Sequence, residues 1–525
     1  MKRREFIRNT IPAAILPSLV DGVSMRVLGD SPVMSALLNT YIETDKVLVI
    51  IQLNGGNDGL NMVIPLDQYA NYYNARSNIA IAENKVLTLN GTNATGLHPS
   101  MTGLQTMYNE GKVRLVQAVG YPNPSFSHFR ATDIWMSASD SNQQLTSGWA
   151  GRYLNDQYSN YPVGYPNTDV PDPVGIQIGS TTSLTFQGPS VNMGISISSA
   201  TNFYNLVNGI QDPAPNTPAG EALTYVRLVA KQSNLYAERI IAAANAVPTQ
   251  GTYPSGNTLA DQLKIVARLV KGGLKTRVYM VSMGGFDNHS QQTNADTSTG
   301  THATLMQRLS EAVKAFQDDI TNLGVADRVI GMTFSEFGRR IKSNASTGTD
   351  HGAAAPLFVF GSKVNSGITG VNPTIPAAAT VNDNVPMQYD FRSVYASILQ
   401  DWFCVDSISL QTIMLQNFQQ LGLCTNGNCT LTAIDDTRNS GVSLVSNYPN
   451  PFTESTVIKF TTKGGHTLIQ VMDSHGRVVQ TPVDREYTAG TYTVTFHSYG
   501  LATGVYYMRF QNGITQQVKP MLKAR

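Results

Sequence analysis

The chain reads as an α/β protein, an open and mostly parallel sheet with helices on both faces, followed by a small all-β sandwich. Three observations predict this. Short apolar runs recur that read as strands buried on both faces. Helical patterns lie between several of them, which argues an open sheet rather than an all-β or all-α domain. After about Thr430 the pattern changes to short alternating strands separated by turn residues.

Taken in order, KVLVIIQLNGG from Lys46 and VRLVQAVG from Val113 are the first two buried strands. PVGIQIG, RVYMVSMGG, RVIGMTFSEFG and PLFVFG are four more. SMTGLQTMYNEGK is a short amphipathic helix. THATLMQRLSEAVKAFQDDITNLG is a long one, with Leu305, Leu309, Ala312, Val313, Phe316, Ile320 and Leu323 near one face. Gly324 ends it. Two further helices are expected at about 220–247 and 258–272. Residues 155–220 are rich in Pro, Ser, Thr and Gly and read as an irregular insertion or lid. The expected organisation is an export signal over 1–28, an α/β domain over 29–430, a linker over 431–445 and a β-sandwich over 446–525.

At 525 residues and 41% hydrophobic, the chain has ample material for a large core and more than one domain. A formal net charge of +1 and the lack of a basic face exclude a nucleic-acid binder. The N-terminal KRREFIRNTIPAAILPSLV joins paired arginines to an apolar run too short to span a bilayer. It reads as an export signal cut near residues 20–30, either twin-arginine-like through Arg3 and Arg4 or an ordinary secretory one. No other segment is long and apolar enough to cross a membrane. The cysteines are Cys404, Cys424 and Cys429. In an exported protein one disulfide and one free thiol are expected, and Cys424–Cys429 and Cys404–Cys424 are both easy to draw.

In open α/β sheets, ligands sit beyond the carboxyl ends of the strands. The first strand delivers Asn54, Asn57 and Asp58 there, and the second Ser125, Ser127 and His128. GGFDNHSQQ delivers Asp287 and His289, and FSEFG delivers Ser335 and Glu336. TDHG, just before PLFVFG, brings Asp350 and His351. Asp and His together are a ligand set for zinc and similar divalent ions, and two such groups suffice for a two-metal site. Ser127 stands where a loop turns into a helix. It is either that helix's N-cap or a nucleophile beside free backbone N–H groups that bind an anion. Each residue also has a bland reading. Asp58 forms a turn, His128 caps or packs, His289 braces a strand end, and Glu336 pairs with Arg339 or Arg340. His302, opening the long helix, faces solvent or the lid. Jointly, a polar cluster at the sheet's carboxyl edge is the expectation.

From Ser446 the segment carries YPNPF, a D-x-x-G-R turn from Asp473 to Arg477, an L-x-x-G-V-Y-Y run from Leu501 to Tyr507 and a basic tail. It resembles the type A C-terminal sorting domain of the type IX secretion system. The resemblance implies export across the outer membrane of a Bacteroidetes-type bacterium. A carbohydrate-binding or adhesion module is the alternative for a β-sandwich.

LNGGNDGLNMVIP, GLHPSM, SHFRATDIW, GWAGRYL, GGFDNHSQQ, FSEFGRR and TDHG, in this order, resemble the bacterial family catalogued as domain of unknown function 1501. The resemblance covers roughly residues 1–400. That family looks like a branch of the alkaline phosphatase and sulfatase superfamily. What it implies is a three-layer α/β sandwich holding one or two divalent ions, zinc or similar, with no organic cofactor. Carried over by position, Asp58, Asp287, His289, Asp350 and His351 are implied metal ligands and Ser127 the nucleophile. Arg130 or Arg339 would neutralise the anion. SFSHFR does not fit the C/S-x-P-x-R motif of sulfatases, so a formylglycine is not expected. No histidine after His351 matches the last phosphatase ligand, which leaves a one-metal or degenerate site open. The implied activity is hydrolysis of phosphate or sulfate esters. The alternative is an inactive surface-associated binding protein on the same fold.

Overall fold

The computed structural model describes residues 45–158, 161–198, 234–425, 443–448, 452–473, 477–512 and 515–524. The expected export signal, the first half of the helix placed at 220–247, part of the insertion and most of the linker lie outside the described residues. Two compact units form, one over Thr44–Gly427 and one containing the chain from Asn428 onward.

The first unit holds a nine-stranded sheet. Its strands are β1 (Val47–Leu53), β2 (Val113–Gly120), β3 (Gly175–Ile178), β4 (Ile195–Ile197), β5 (Val278–Met283), β6 (Val329–Phe334), β7 (Ala355–Phe360), β8 (Gly367–Thr369) and β9 (Tyr389–Asp390). The order is β8-β2-β7-β6-β1-β5-β3-β4, with β9 also paired to β2. β1 runs parallel to β5 and β6 on either side. β7 alone is antiparallel to both its neighbours, β2 and β6.

Each strand alternates its side chains between two cores, as a sheet covered on both faces requires. Val47, Val49, Ile51 and Leu53 of β1 face one cluster and Leu48 and Ile50 the other. The first cluster is covered by α1 (Thr102–Asn109), the second by α2 (His128–Ser137) and α3 (Trp149–Gln157). α4 (Thr258–Lys271) and α5 (Thr301–Asn322) join α1, and α6 (Phe391–Ser397) joins α2 and α3. This is the three-layer α/β sandwich. Each large apolar side chain so buried contributes about 1.5–3 kcal/mol, which gives the layers their main stabilisation. α5 ends as its sequence predicts. Gly324 has φ 72°, and its N–H and that of Val325 turn back to the carbonyls of Thr321 and Ile320. No described helix is long and apolar enough to cross a membrane.

Both disulfides drawn from spacing used Cys424, and neither forms. Cys424 is a buried free thiol, while Cys404 is disulfide-bonded. Burial pushes the Cys424 thiol up to about 12, so it stays protonated and inert.

The C-terminal unit is one five-stranded antiparallel sheet, curved as a half-barrel, around Phe452, Ile458, Phe460, Ile469, Phe496 and Phe510. Its strands are longer than the short ones expected: β10 (Ser443–Tyr448), β11 (Ser455–Met472), β12 (Val478–His497), β13 (Gly504–Asn512) and β14 (Thr515–Lys523). β10 starts inside the stretch read as linker. β11 runs through Gly464 and Gly465, whose φ values of 98° and 89° let it bend without ending. Its first half then pairs with β10 and its second half with β13. The Asp473–Arg477 turn is tied by Arg477 Nε donating to Asp473 Oδ2 at 2.8 Å.

Candidate functional site

Four parallel strands end at one edge of the sheet, and the antiparallel β7 begins there. That explains why Asp350 and His351, which precede a strand, meet residues that follow strands. The loops must approach closely to do so. Gly55 has φ 123°, and a Cβ on it would strike the Asp287 amide and lie 2.8 Å from the Phe286 carbonyl carbon. Gly56, at φ 74°, lies against the Phe337 ring. Asn54 contributes through its backbone, donating N–H to Met283 O and accepting from Phe286 N–H. Gly55→Ala is therefore expected to displace the 286–289 loop and lower stability by more than about 1 kcal/mol. A thermal melt together with the metal content of the variant checks this.

At this edge His128, Asp287 and His351 each offer a ligand atom, all within 4.8 Å of one another. His289 completes the cluster. Its Nε2 lies 2.9 Å from His351 Nε2 and 3.2 Å from Asp287 Oδ1. His351 Nε2 is 3.4 Å from the same oxygen, and His128 Nε2 is 3.6 Å from Asp287 Oδ2.

The outer ring nitrogens decide the tautomers. His351 Nδ1 donates to the Phe126 carbonyl at 2.7 Å. His128 Nδ1 donates to Glu336 Oε1 at 2.8 Å, and His289 Nδ1 to Asp350 Oδ1 at 3.2 Å. Carbonyl and carboxylate oxygens only accept, so each Nδ1 carries a proton, and each Nε2 is the atom left to ligate a cation on the inner side. Two ring nitrogens 2.9 Å apart beside a carboxylate are held together by a shared proton or by a cation that both ligate. Edges of 2.9, 3.2 and 3.4 Å also suit tetrahedral ligation, because bonds of about 2.0–2.1 Å give ligand separations of about 3.3 Å. The donor set thus fits a divalent ion, and the oriented outer hydrogen bonds are what such a centre needs. Burial lowers the His351 pKa and keeps the ring neutral. Burial opposes ionisation of Asp287, but the Arg339 hydrogen bond and charge outweigh it and hold the pKa below the usual range.

Several expectations change. Asp58 is not at this cluster. It is 2% exposed, and Arg76 Nη1 donates to its two oxygens at 2.7 and 2.8 Å. Gln292 Nε2 adds a third bond at 2.6 Å. Burial would raise its pKa, but Arg76, with His302 and the hydrogen bonds, holds it below the usual range. Asp350 stands one step out, accepting from His289 and from Asn344 Nδ2. Glu336 pairs with neither Arg339 nor Arg340. It accepts from His128 and from Gly55 N–H. Arg339 is fully enclosed, donating to the carbonyls of Gly55, Gly56, Phe286 and Thr349 and to Asp287 Oδ1 at 2.7 Å. Arg130 turns to the loop after α2 and donates to the carbonyls of Asp140, Ser141 and Gln143. Neither arginine is placed to clamp an anion. Ser127 takes the N-cap position of α2, but its side chain makes no capping bond and is exposed.

His302 faces neither solvent nor a lid. It is 1% exposed, edge-on to His98, with Nε2 3.2 Å from Asn57 Oδ1. Burial depresses His302 to about 4 and His98 to about 3, so both are neutral in the folded chain. Unfolded, each takes up a proton near pH 6.5. Stability should therefore be full above about 6.5 and fall as pH drops toward 4. Asp58, with its depressed pKa, loses its contribution further into acid. Chemical denaturation at stepped pH checks this, and a flat profile from pH 7 to 5 contradicts it.

Arg76, Gln292 and the Phe126 carbonyl were not singled out in the sequence. Arg76 ends a short helix remote from any motif, and a backbone carbonyl leaves no signal in residue type. His128 had one, as the histidine beside Ser127 at a strand-to-helix turn.

The match to the family described as "Protein of unknown function (DUF1501)" covers residues 45–403, and the chain belongs to that family. Residues 446–524 match the secretion system C-terminal sorting domain, which implies export to the cell surface or medium. No curated protein matches the chain. Solved structures that resemble it include a protein in the alkaline phosphatase superfamily from Vibrio parahaemolyticus. It is 10% identical with a TM-score of 0.31, over 92% of this chain and 84% of that one. A putative sulfatase from Bacteroides thetaiotaomicron is 8% identical, TM-score 0.30, over 91% and 85%. The PsFucS1 sulfatase from Pseudoalteromonas sp. is 11% identical, TM-score 0.32, over 86% and 84%. Likenesses this slight carry no weight for function, which rests on the side chains.

Proposed function

We propose that the protein is an exported, metal-dependent hydrolase of phosphate or sulfate esters. One observation carries this: His289, His351 and His128 turn their Nε2 atoms toward Asp287, each ring held from behind by an acceptor at Nδ1. Asp287, His289 and His351 would hold the ion, with His128 beside the second carboxylate oxygen. A divalent ion there supplies Lewis acidity toward an ester oxygen. The Ser127 hydroxyl, uncommitted as a cap, is the nucleophile in this reading, and the free N–H groups of the first turn of α2 receive the anionic group. Glu336, Asp350 and the Phe126 carbonyl keep the histidine rings oriented. A twin-arginine-like signal and the type IX machinery deliver the protein.

The test is a panel of aryl phosphate and sulfate esters with the mature protein. Turnover is expected that chelation abolishes, zinc restores and Ser127→Ala lowers at least about 100-fold. Failure to turn over any ester with metal bound would favour the second reading, an inactive surface binding protein. Arg339 is enclosed and Arg130 is turned to backbone carbonyls, which leaves neither for the substrate, and this is the observation on that side.

A further inference from the structure

We infer that the centre takes one divalent ion and not two; this rests on the metal-centre reading above. The donors divide unevenly about Asp287. Oδ1 has two histidine Nε2 atoms beside it, at 3.2 and 3.4 Å, and these are 2.9 Å from each other. Together they form a complete three-point cradle. Oδ2 has only His128 Nε2, at 3.6 Å. A second ion bridged through Oδ2 would need further protein donors, and the one candidate group of three or more ligands among the described residues is that of His128, Asp287 and His351. Glu336 Oε1 is occupied by His128 Nδ1 and Gly55 N–H, and its Oε2 by Ser335 Oγ. Asp350 Oδ1 is occupied by His289 and Asn344. Asp58 lies with Arg76, apart from the cluster.

Arg339 acts in the same direction. Its guanidinium is locked by backbone carbonyls and donates to Asp287 Oδ1 at 2.7 Å. The centre thus already contains one cationic group against the shared carboxylate. That charge already neutralises part of Asp287, so the one carboxylate can offset the charge of one divalent ion better than that of two. Arg339 is thus a positioning residue for Asp287.

The experiment is a metal count. The mature protein is loaded with excess zinc, freed of loose metal by gel filtration and assayed by elemental analysis. About one equivalent is expected. Two equivalents overturn the inference and leave the hydrolase reading standing; none overturns both. A second arm uses His128→Ala, which removes the Oδ2-side donor and leaves the cradle whole. It should retain about one equivalent, whereas a two-ion centre would fall from two to one. Loading with manganese gives an independent readout. The spectrum of an isolated ion is expected, and an exchange-coupled pair would contradict the inference.

Discussion

His351→Ala should strip the protein of its metal. His351 stands at the middle of the cluster, with Nε2 2.9 Å from His289 Nε2 and 3.4 Å from Asp287 Oδ1. It is also a member of the triad with His128 and Asp287. Its Nδ1 is tied to the Phe126 carbonyl, so the ring is held ready rather than recruited by the ion. Losing an outer hydrogen bond at a metal ligand typically weakens binding about 10–100-fold, and losing the ligand itself should do more. Metal should fall from about one equivalent to below about a tenth, and any chelator-sensitive ester hydrolysis should go with it. The side chain is partly exposed at the entry to a strand, so the fold should survive, and circular dichroism checks that. A folded variant with full metal content would refute the centre.

The second large effect is on stability. Arg76→Met should destabilise the α/β unit by about 3–5 kcal/mol, because it leaves Asp58 charged, buried and without its cation. Both side chains are essentially inaccessible. Arg76 also donates to the carbonyls of Arg340 and Ile341 and to Asn61 Oδ1, so several acceptors lose their partner at once. The double variant Asp58→Leu with Arg76→Met should recover part of the loss, since it removes the buried charge as well. Metal content separates this role from ligation. Asp58→Asn should keep its ion, and loss of the ion without loss of fold would return Asp58 to the centre. Urea unfolding of the single and double variants measures the first claim, and elemental analysis the second.

Much of this was legible in the residues. The strand cores VLVII, LVQAV and VYMVSM are apolar on both faces, which only a sheet covered on both sides accommodates. The positions gathered at its carboxyl edge follow from the topology, and Asp287, His289 and His351 do meet there. Asp350 is implied as a ligand, and Glu336 reads either as a member of the edge cluster or as an arginine's partner. Residue type alone does not separate a carboxylate that binds an ion from one that orients a histidine behind it. Asp58 looked the same as Asp287 in sequence, each following glycines after a strand. Arg76 was eighteen residues further on, in a helix with no motif.

The sequence by itself determined the two-part build, the layers of the sandwich, the edge at which polar groups collect and the sorting tail. The build, the layers and the edge are set by short-range periodicity and turn residues, and the sorting tail is marked by short motifs that resemble a known family; all of these are local properties of a chain. Only the tertiary structure decided which acids face the cluster, which arginines are already enclosed, and which nitrogen of each histidine points inward. Many of those depend on partners remote along the chain, 52 residues apart for Arg339 and Asp287 and 225 for the Phe126 carbonyl and His351. A hydrogen bond depends on distance and direction in space, and the linear order of residues carries neither until the sheet has closed.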